Sequence, residues 1–85
     1  MNKPESLNND FIINHRIKIG ESIREIREKR GYSQIQLSEI MKIDRSTISK
    51  IENGKFSFSI DYLLKFSWYL DFDFSIYDNI KNKQF

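Results

Sequence analysis

The sequence predicts an all-α fold, a compact domain of four to five helices, and three observations lead to this prediction. Apolar residues recur at helical spacing in four stretches between residues 19 and 70. Candidate cap residues precede several of these stretches, and glycines follow two of them. The chain has 85 residues and no cysteine, so it is expected to form one small core without a disulfide framework.

The first helix is expected at about residues 19–30, with Ile19, Ile23 and Ile26 as its apolar stripe and Gly31 at its end. Residues 1–10 are polar and aperiodic and are predicted to be a mobile tail, as are residues 79–85. Residues 11–78 are predicted to be the folded domain. The apolar residues within 11–17 either extend the first helix backward or form a separate turn, packed on the core or on a partner chain.

Residues 32–42 predict a second, short helix. Ser33 is a candidate N-cap, and Gln36 three residues later completes a capping box. Leu37, Ile40 and Met41 then follow at helical spacing and are expected to face inward.

A third helix is predicted to begin after Asp44 as its N-cap and to end before Gly54. Ile48 and Ile51 would lie on its buried side, and Gly54 occupies the position where a left-handed residue often ends a helix. Two short helices joined by so tight a turn form a helix-turn-helix, whose second helix can enter the DNA major groove.

The outer face of the third helix carries hydrogen-bond donors and short hydroxyls. Arginine can bind a guanine edge through two hydrogen bonds, lysine can reach a base or a phosphate, and serine or threonine can bind either. These residue types favour a nucleic-acid contact, while an ordinary solvated helix face is the alternative. The residues concerned are Arg45, Ser46, Thr47, Ser49 and Lys50.

Residues 17–70 resemble the Cro/C1-type (Xre) helix-turn-helix family. The resemblance rests on IREIREKRGYSQ at residues 23–34, on Leu37 and Ser38, and on STISKIENG at residues 46–54. It implies a lambda-repressor-like domain. Ser38 stands where the family most often has alanine, and Lys42 stands where it often has glycine, so the turn would need a lysine at positive φ or an adjusted geometry.

The resemblance also implies the roles of individual residues. The expected contacts with base edges are those of Arg45, Ser46 and Lys50. The expected contacts at or beside the DNA backbone are those of Gln34, Thr47, Ser49, Asn53 and Lys55. Arg27 and Glu52 stand where family members carry a partly buried ion pair, and two solvated charges are the alternative.

Positive charge is concentrated on the predicted helix-turn-helix. Residues 16–55 carry ten Lys and Arg against six Asp and Glu, whereas the segments on either side each carry one excess acid. A DNA backbone requires this sign of charge, although the excess is modest.

A fourth helix is predicted from a cap at Ser59 to Leu70, preceded by a loop that Phe56 or Phe58 would anchor. This helix has apolar residues on more than one side, so part of its surface is expected to lie in a dimer interface. Residues 71–77 alternate polar with apolar residues, which favours a strand that pairs with its copy in a second subunit. A short fifth helix is the alternative. The predicted dimer-interface residues are Phe66, Tyr69, Phe72, Phe74 and Ile76.

The sequence therefore predicts a homodimeric transcriptional regulator that binds an inverted repeat in double-stranded DNA. We expect no cofactor, no metal site and no catalysis, because the single histidine and three scattered glycines build no catalytic or phosphate-binding motif. Without a signal peptide or membrane-spanning run, the expected location is the cytoplasm. Three alternatives remain: an antitoxin with a toxin partner, the controller protein of a restriction–modification operon, and a helix-turn-helix used only for protein contact.

Overall fold

A computed structural model of the chain describes residues 6–78, which form four helices and no strand. The helices are α1 (Asn9–Lys29), α2 (Gln34–Met41), α3 (Arg45–Glu52) and α4 (Ile60–Leu70). The predicted all-α class is confirmed. The helix-turn-helix formed by α2 and α3 lies against α1, and α4 also packs against α1.

Helix α1 begins ten residues earlier than the sequence predicted. The side chain of Asn8 caps it by accepting a hydrogen bond from the backbone N–H of Asp10 at 2.9 Å. The apolar residues within 11–17 therefore extend α1 backward, which was one of the two predicted possibilities. Asn9 and Asp10 belong to this helix rather than to a tail. Residues 1–5 and the predicted tail at 79–85 lie outside the described residues.

The core consists of seven buried apolar residues contributed by all four helices. They are Ile23, Leu37, Met41, Ile48, Ile51, Phe66 and Leu70. Two residues predicted to face inward, Ile19 and Ile40, are each 39% exposed instead. At about 100° per residue, Ile40 falls at the edge of the face that Leu37 and Met41 define, and Ile19 lines the open groove between α1 and α4.

All four helices end in the same way. In each last turn, a backbone N–H donates to the carbonyl oxygen of the residue five positions earlier, and the residue before the donor has positive φ. At the end of α3, for example, Lys55 N–H donates to Lys50 C=O at 3.0 Å. Two of these left-handed residues are glycines, Gly31 and Gly54. The other two are Lys42 and Asp71, both at φ 57°. Lysine at position 42 thus adopts the left-handed conformation that the turn requires.

The predicted dimer-interface residues have different environments. Phe66 is fully buried in the core, so its assignment to an interface was wrong: it lies on the side of α4 that faces α1, beside Leu70. Phe72 is half-buried against the core. The remaining three, Tyr69, Phe74 and Ile76, are exposed.

Residues 72–78 follow α4 without forming a fifth helix or a strand in the single chain. The start of this segment is held because Arg30 donates hydrogen bonds to the carbonyl oxygens of Leu70 at 2.7 Å and Asp71 at 2.8 Å. Pairing with a second subunit stays a prediction for the residues beyond Phe72.

Candidate nucleic-acid interface

Only three residues, 42–44, separate the end of α2 from the beginning of α3. Ile43 N–H donates to Ser38 C=O at 3.0 Å across the left-handed Lys42. Asp44 then holds the N-cap position of α3, but its side chain makes no capping hydrogen bond, in contrast to the prediction. Ser33 does form the predicted capping box with Gln36 at the start of α2.

The inner side of α3 is completely buried. Ile48 and Ile51 have no exposed surface, and Glu52 is only 3% exposed. A Cβ atom built on Gly20 of α1 would collide with the carbonyl oxygens of Ile51 and Glu52, so only glycine allows α1 to lie this close to α3. This role of Gly20 was not predicted from the sequence, although a glycine inside a helical pattern is a signal for such a close approach.

Glu52 is held at the end of α3 by a two-point ion pair with Arg27 of α1. Arg27 Nε donates to Glu52 Oε2 at 2.6 Å, and Arg27 Nη2 donates to Oε1 at 3.0 Å. Arg27 Nη1 donates to the Tyr32 carbonyl oxygen at 2.7 Å. The family resemblance implied this pair, and in the structure the two side chains are joined and buried, so the pair connects α1 to the end of α3.

The guanidinium of Arg27 stays charged at every ordinary pH. Its pKa is raised by the hydrogen bond to Glu52, lowered in part by burial, and raised further by the charges of Glu52 and Glu28. A cation with a raised pKa stabilises the fold below its unfolded-state pKa and loses that contribution only as the pH rises through the folded-state value. For Arg27 this window lies in strong alkali.

Gln34, the first residue of α2, connects this ion pair to the outer face of α3. Its Nε2 donates to Glu52 Oε1 at 3.0 Å, which leaves its Oε1 to accept a hydrogen bond from Arg45 Nη1 at 3.2 Å. The buried carboxylate therefore sets which way the Gln34 amide points. Of the three residues predicted to contact bases, only Arg45 makes a side-chain hydrogen bond within residues 6–78.

The outer face of α3 presents the predicted residues to solvent. Arg45, Ser46 and Lys50 are exposed, while Thr47 and Ser49 are half-buried at its edges. Asn53, at the end of the helix, donates from Nδ2 to the Ser49 carbonyl oxygen at 2.9 Å and to its hydroxyl at 3.4 Å.

Lys55 follows the turn at Gly54 and is exposed at the start of the loop to α4. A Cβ on Gly54 would lie 2.7 Å from the Cα of Ile17, so this turn rests directly on α1. Phe56 and Phe58 pack against the core and anchor the loop. Arg45, Ser46, Lys50, Asn53 and Lys55 are thus all exposed, on α3 or directly after it.

Residues 6–78 contain no group of three or more His, Cys, Asp or Glu residues that could hold a metal ion. His15, the single histidine, lies on α1 against the Phe11 ring, with Nδ1 2.8 Å from the Phe11 carbonyl oxygen. Over the same residues, no helix combines the length and the apolar character needed to cross a membrane.

Comparisons with known proteins agree with this geometry. A family model described as helix-turn-helix matches residues 23–76. A provisionally named HTH-type transcriptional regulatory protein of Pyrococcus furiosus is 39% identical over 46 residues, which cover 54% of this chain but only 15% of that protein. The crystal structure of the restriction–modification controller protein C.AhdI from Aeromonas hydrophila matches with a TM-score of 0.66 and 32% identity, covering 71% of this chain and 91% of that chain.

Proposed function

Because this chain belongs to the Cro/C1-type helix-turn-helix family, we propose that it is a sequence-specific double-stranded-DNA-binding protein that regulates transcription. The observation that carries the proposal is the contrast between the two sides of α3. One side is buried and tied to α1, and the other presents Arg45, Ser46 and Lys50 to solvent. A helix held in this way can enter a major groove without losing its position on the domain.

In the proposed complex, α3 lies in the major groove and reads base edges with Arg45, Ser46 and Lys50. Arg45 is the strongest candidate because a guanidinium can bind guanine through two hydrogen bonds, and Gln34 already limits its orientation. Gln34 is also a proposed backbone contact because it lies at the start of α2, beside Arg45.

The remaining proposed backbone contacts frame α3. Thr47 and Ser49 lie at its edges, and Asn53 and Lys55 lie at its C-terminal end and in the following loop. Such contacts set the position of the helix on the duplex, whereas base contacts determine the sequence that is bound. Lys55 is the only one of these backbone residues that carries a full positive charge.

We propose further that the protein acts as a homodimer on an inverted repeat, with half-sites about one helical turn apart. A controller of a restriction–modification operon is the favoured kind of regulator, because the similarity to C.AhdI extends over 91% of that controller. A restriction or modification gene beside the coding sequence would support this assignment, and a toxin gene there would favour the antitoxin instead.

The experiment that tests the proposal is selection of binding sites from a random DNA pool at about 150 mM salt, which suppresses non-specific attraction. Enrichment of an inverted repeat is the expected result, and it would also give the half-site spacing. Enrichment of a single half-site would retain DNA recognition and remove the dimer. A pool without enrichment would overturn the proposed function and favour a helix-turn-helix used for protein contact.

A further inference from the structure

The N-terminal part of α1 lies outside the region that the helix-turn-helix family model matches. That model begins at residue 23, whereas α1 begins at Asn9. The preceding residues of the helix, 9–22, make about four turns and are roughly 20 Å long. Gly54 rests directly on Ile17, so this part of α1 packs against the turn that ends α3. It therefore lies beside the loop between α3 and α4.

A groove lies between this part of α1 and the loop, and Arg16 is one of the residues that line it. Ser57, Phe58 and Ser59 line the groove on the loop side. The side chain of Arg16 is half-buried. Ser57 follows Lys55 by two residues, so at most about 7 Å of extended chain separates it from that proposed backbone contact. Arg16 thus adds a second positive charge to the loop that carries Lys55.

The guanidinium of Arg16 has no partner in the part of the chain that the structure describes. No hydrogen bond and no ion pair connects it to any of residues 6–78. Arg27 differs, because its three nitrogens donate to Glu52 and to the Tyr32 carbonyl oxygen. A half-buried guanidinium has lost part of its hydration, and a phosphate can accept two of its hydrogen bonds at once. The donors of Arg16 therefore match an anionic ligand, and the proposed complex supplies one in the DNA backbone.

The other polar groups of the groove also suit a phosphate. Ser59 Oγ accepts a hydrogen bond from the Tyr62 N–H at 3.3 Å, so its own O–H can still donate. Ser57, on the same side of the groove, is exposed. None of the described residues that line the groove is acidic. Arginine and serine are among the side chains that bind phosphate oxygens in protein–DNA complexes.

We propose that Arg16 binds a phosphate of the DNA backbone, next to the phosphate that Lys55 binds. This inference rests on the proposed DNA-binding function, and it extends the contact surface to a part of α1 that the family model does not match. The contact carries no base information. It strengthens binding and fixes the position of the domain along the duplex.

Arg16→Ala and Lys18→Ala form a matched pair, because each removes one positive charge from α1. Lys18 lines a different groove, together with Phe72 and Phe74. Affinity is measured on the site selected from the random pool and on a scrambled site, over a range of salt concentrations. Arg16→Ala is expected to weaken binding to both DNAs about three- to tenfold and to reduce the salt slope by about one unit.

Lys18→Ala reports the effect of net charge alone, since its ammonium is not at the proposed contact. It should change the affinity by less than about twofold, because salt screens charges that do not touch the DNA. Equal losses for Arg16→Ala and Lys18→Ala would show that only the net charge matters and would overturn the proposal.

Arg16→Lys and Arg16→Gln separate a phosphate contact from a packing role of the long side chain. Both keep much of the aliphatic stem, so the Tm of each should stay within about 3 °C of wild type. Arg16→Lys keeps the charge and should keep the salt slope, whereas Arg16→Gln should bind as weakly as Arg16→Ala. Wild-type affinity and salt slope for Arg16→Gln would overturn the proposal.

Neutral methylphosphonates, placed one at a time in the selected site, locate the contact. With the wild-type protein, replacing the phosphate that Arg16 binds should weaken binding about as much as Arg16→Ala does. With Arg16→Ala, the same replacement should have no further effect, because the interaction is already lost. For Lys55→Ala, the phosphate that becomes insensitive should be a neighbour on the same strand. If every replacement affects wild type and Arg16→Ala equally, the contact does not exist.

Failure of this inference can be distinguished from failure of the proposed function. If only the Arg16 contact is wrong, Arg16→Ala will enrich the same sequence as wild type and will show the same affinity and salt slope. If the DNA-binding function is wrong, the wild-type protein itself will enrich no sequence, and the Arg16 contact falls with it.

Discussion

The two sides of α3 are held in different ways. The inner side has three means of support: buried isoleucines, the close approach at Gly20, and the Arg27–Glu52 pair. Within residues 6–78, the outer side has a single side-chain hydrogen bond to another element, from Arg45 to Gln34. The difference shows how a helix of eight residues can be rigid as a body while its outer side chains remain available for a ligand.

This comparison predicts that substitutions on the inner side change stability, whereas substitutions on the outer side change DNA binding. Arg27→Ala tests the first part most severely, since it leaves the Glu52 carboxylate buried without its cation. The expected loss is about 3–5 kcal/mol in the free energy of unfolding. In a domain of this size that loss lowers the Tm by at least about 10 °C, measured by circular dichroism.

Arg24→Ala is the matched control for Arg27→Ala, because Arg24 is exposed on the same helix. It should change the stability by no more than about 0.5 kcal/mol. Equal melting temperatures for the two variants would show that the ion pair does not support α3.

Gly20→Ala tests the close approach of α1 to α3. The added methyl group meets backbone carbonyl oxygens that cannot rotate away, so the helices must separate, at a cost of about 1–3 kcal/mol. Urea unfolding measures this loss. Ser22→Ala, at an exposed position of α1, should be close to neutral. A gain of about 1 kcal/mol for Gly20→Ala, as helix propensity alone would give, would contradict the contact.

Lys42→Gly tests the turn before α3 and has the smallest expected effect. Removing a side chain from the left-handed conformation recovers about 1–2 kcal/mol, and the greater freedom of glycine in the unfolded chain offsets part of it. A net gain of about 0.5 kcal/mol in urea unfolding is expected, with unchanged DNA affinity. Lys42→Ala keeps the strained backbone and should show no such gain. The interpretation fails if alanine stabilises as much as glycine.

The sequence predicted the inner side of α3 well because its determinants are local. Ile48 and Ile51 follow helical spacing, and Gly54 stands at the residue that must adopt positive φ. The start of α1 was harder to place because Asn8, Asn9 and Asp10 are all typical cap residues, and the structure uses Asn8.

The side of α4 that faces the core could not be predicted from apolar periodicity. Apolar residues occur on both sides of this helix, so periodicity alone could not show that Phe66 faces α1 while Ile60, Leu64 and Trp68 face solvent. The contact at Gly20 likewise depends on where α1 crosses α3.

The candidate residues on the outer side of α3 were predicted from the sequence. The structure adds the hydrogen bonds of Gln34, which connect Arg45 to the buried Arg27–Glu52 pair.

The measurement that tests the central claim most directly is the DNA affinity of Arg45→Ala and Lys55→Ala on a selected site and on a scrambled site, over a range of salt concentrations. Arg45→Ala should lose about 1–3 kcal/mol, mainly on the selected site, because base contacts distinguish sequences. Lys55→Ala should weaken binding to both DNAs equally and reduce the salt slope by about one unit. Both variants should keep the wild-type Tm. Equal losses for Arg45→Ala on the two DNAs would contradict a base-reading role for α3.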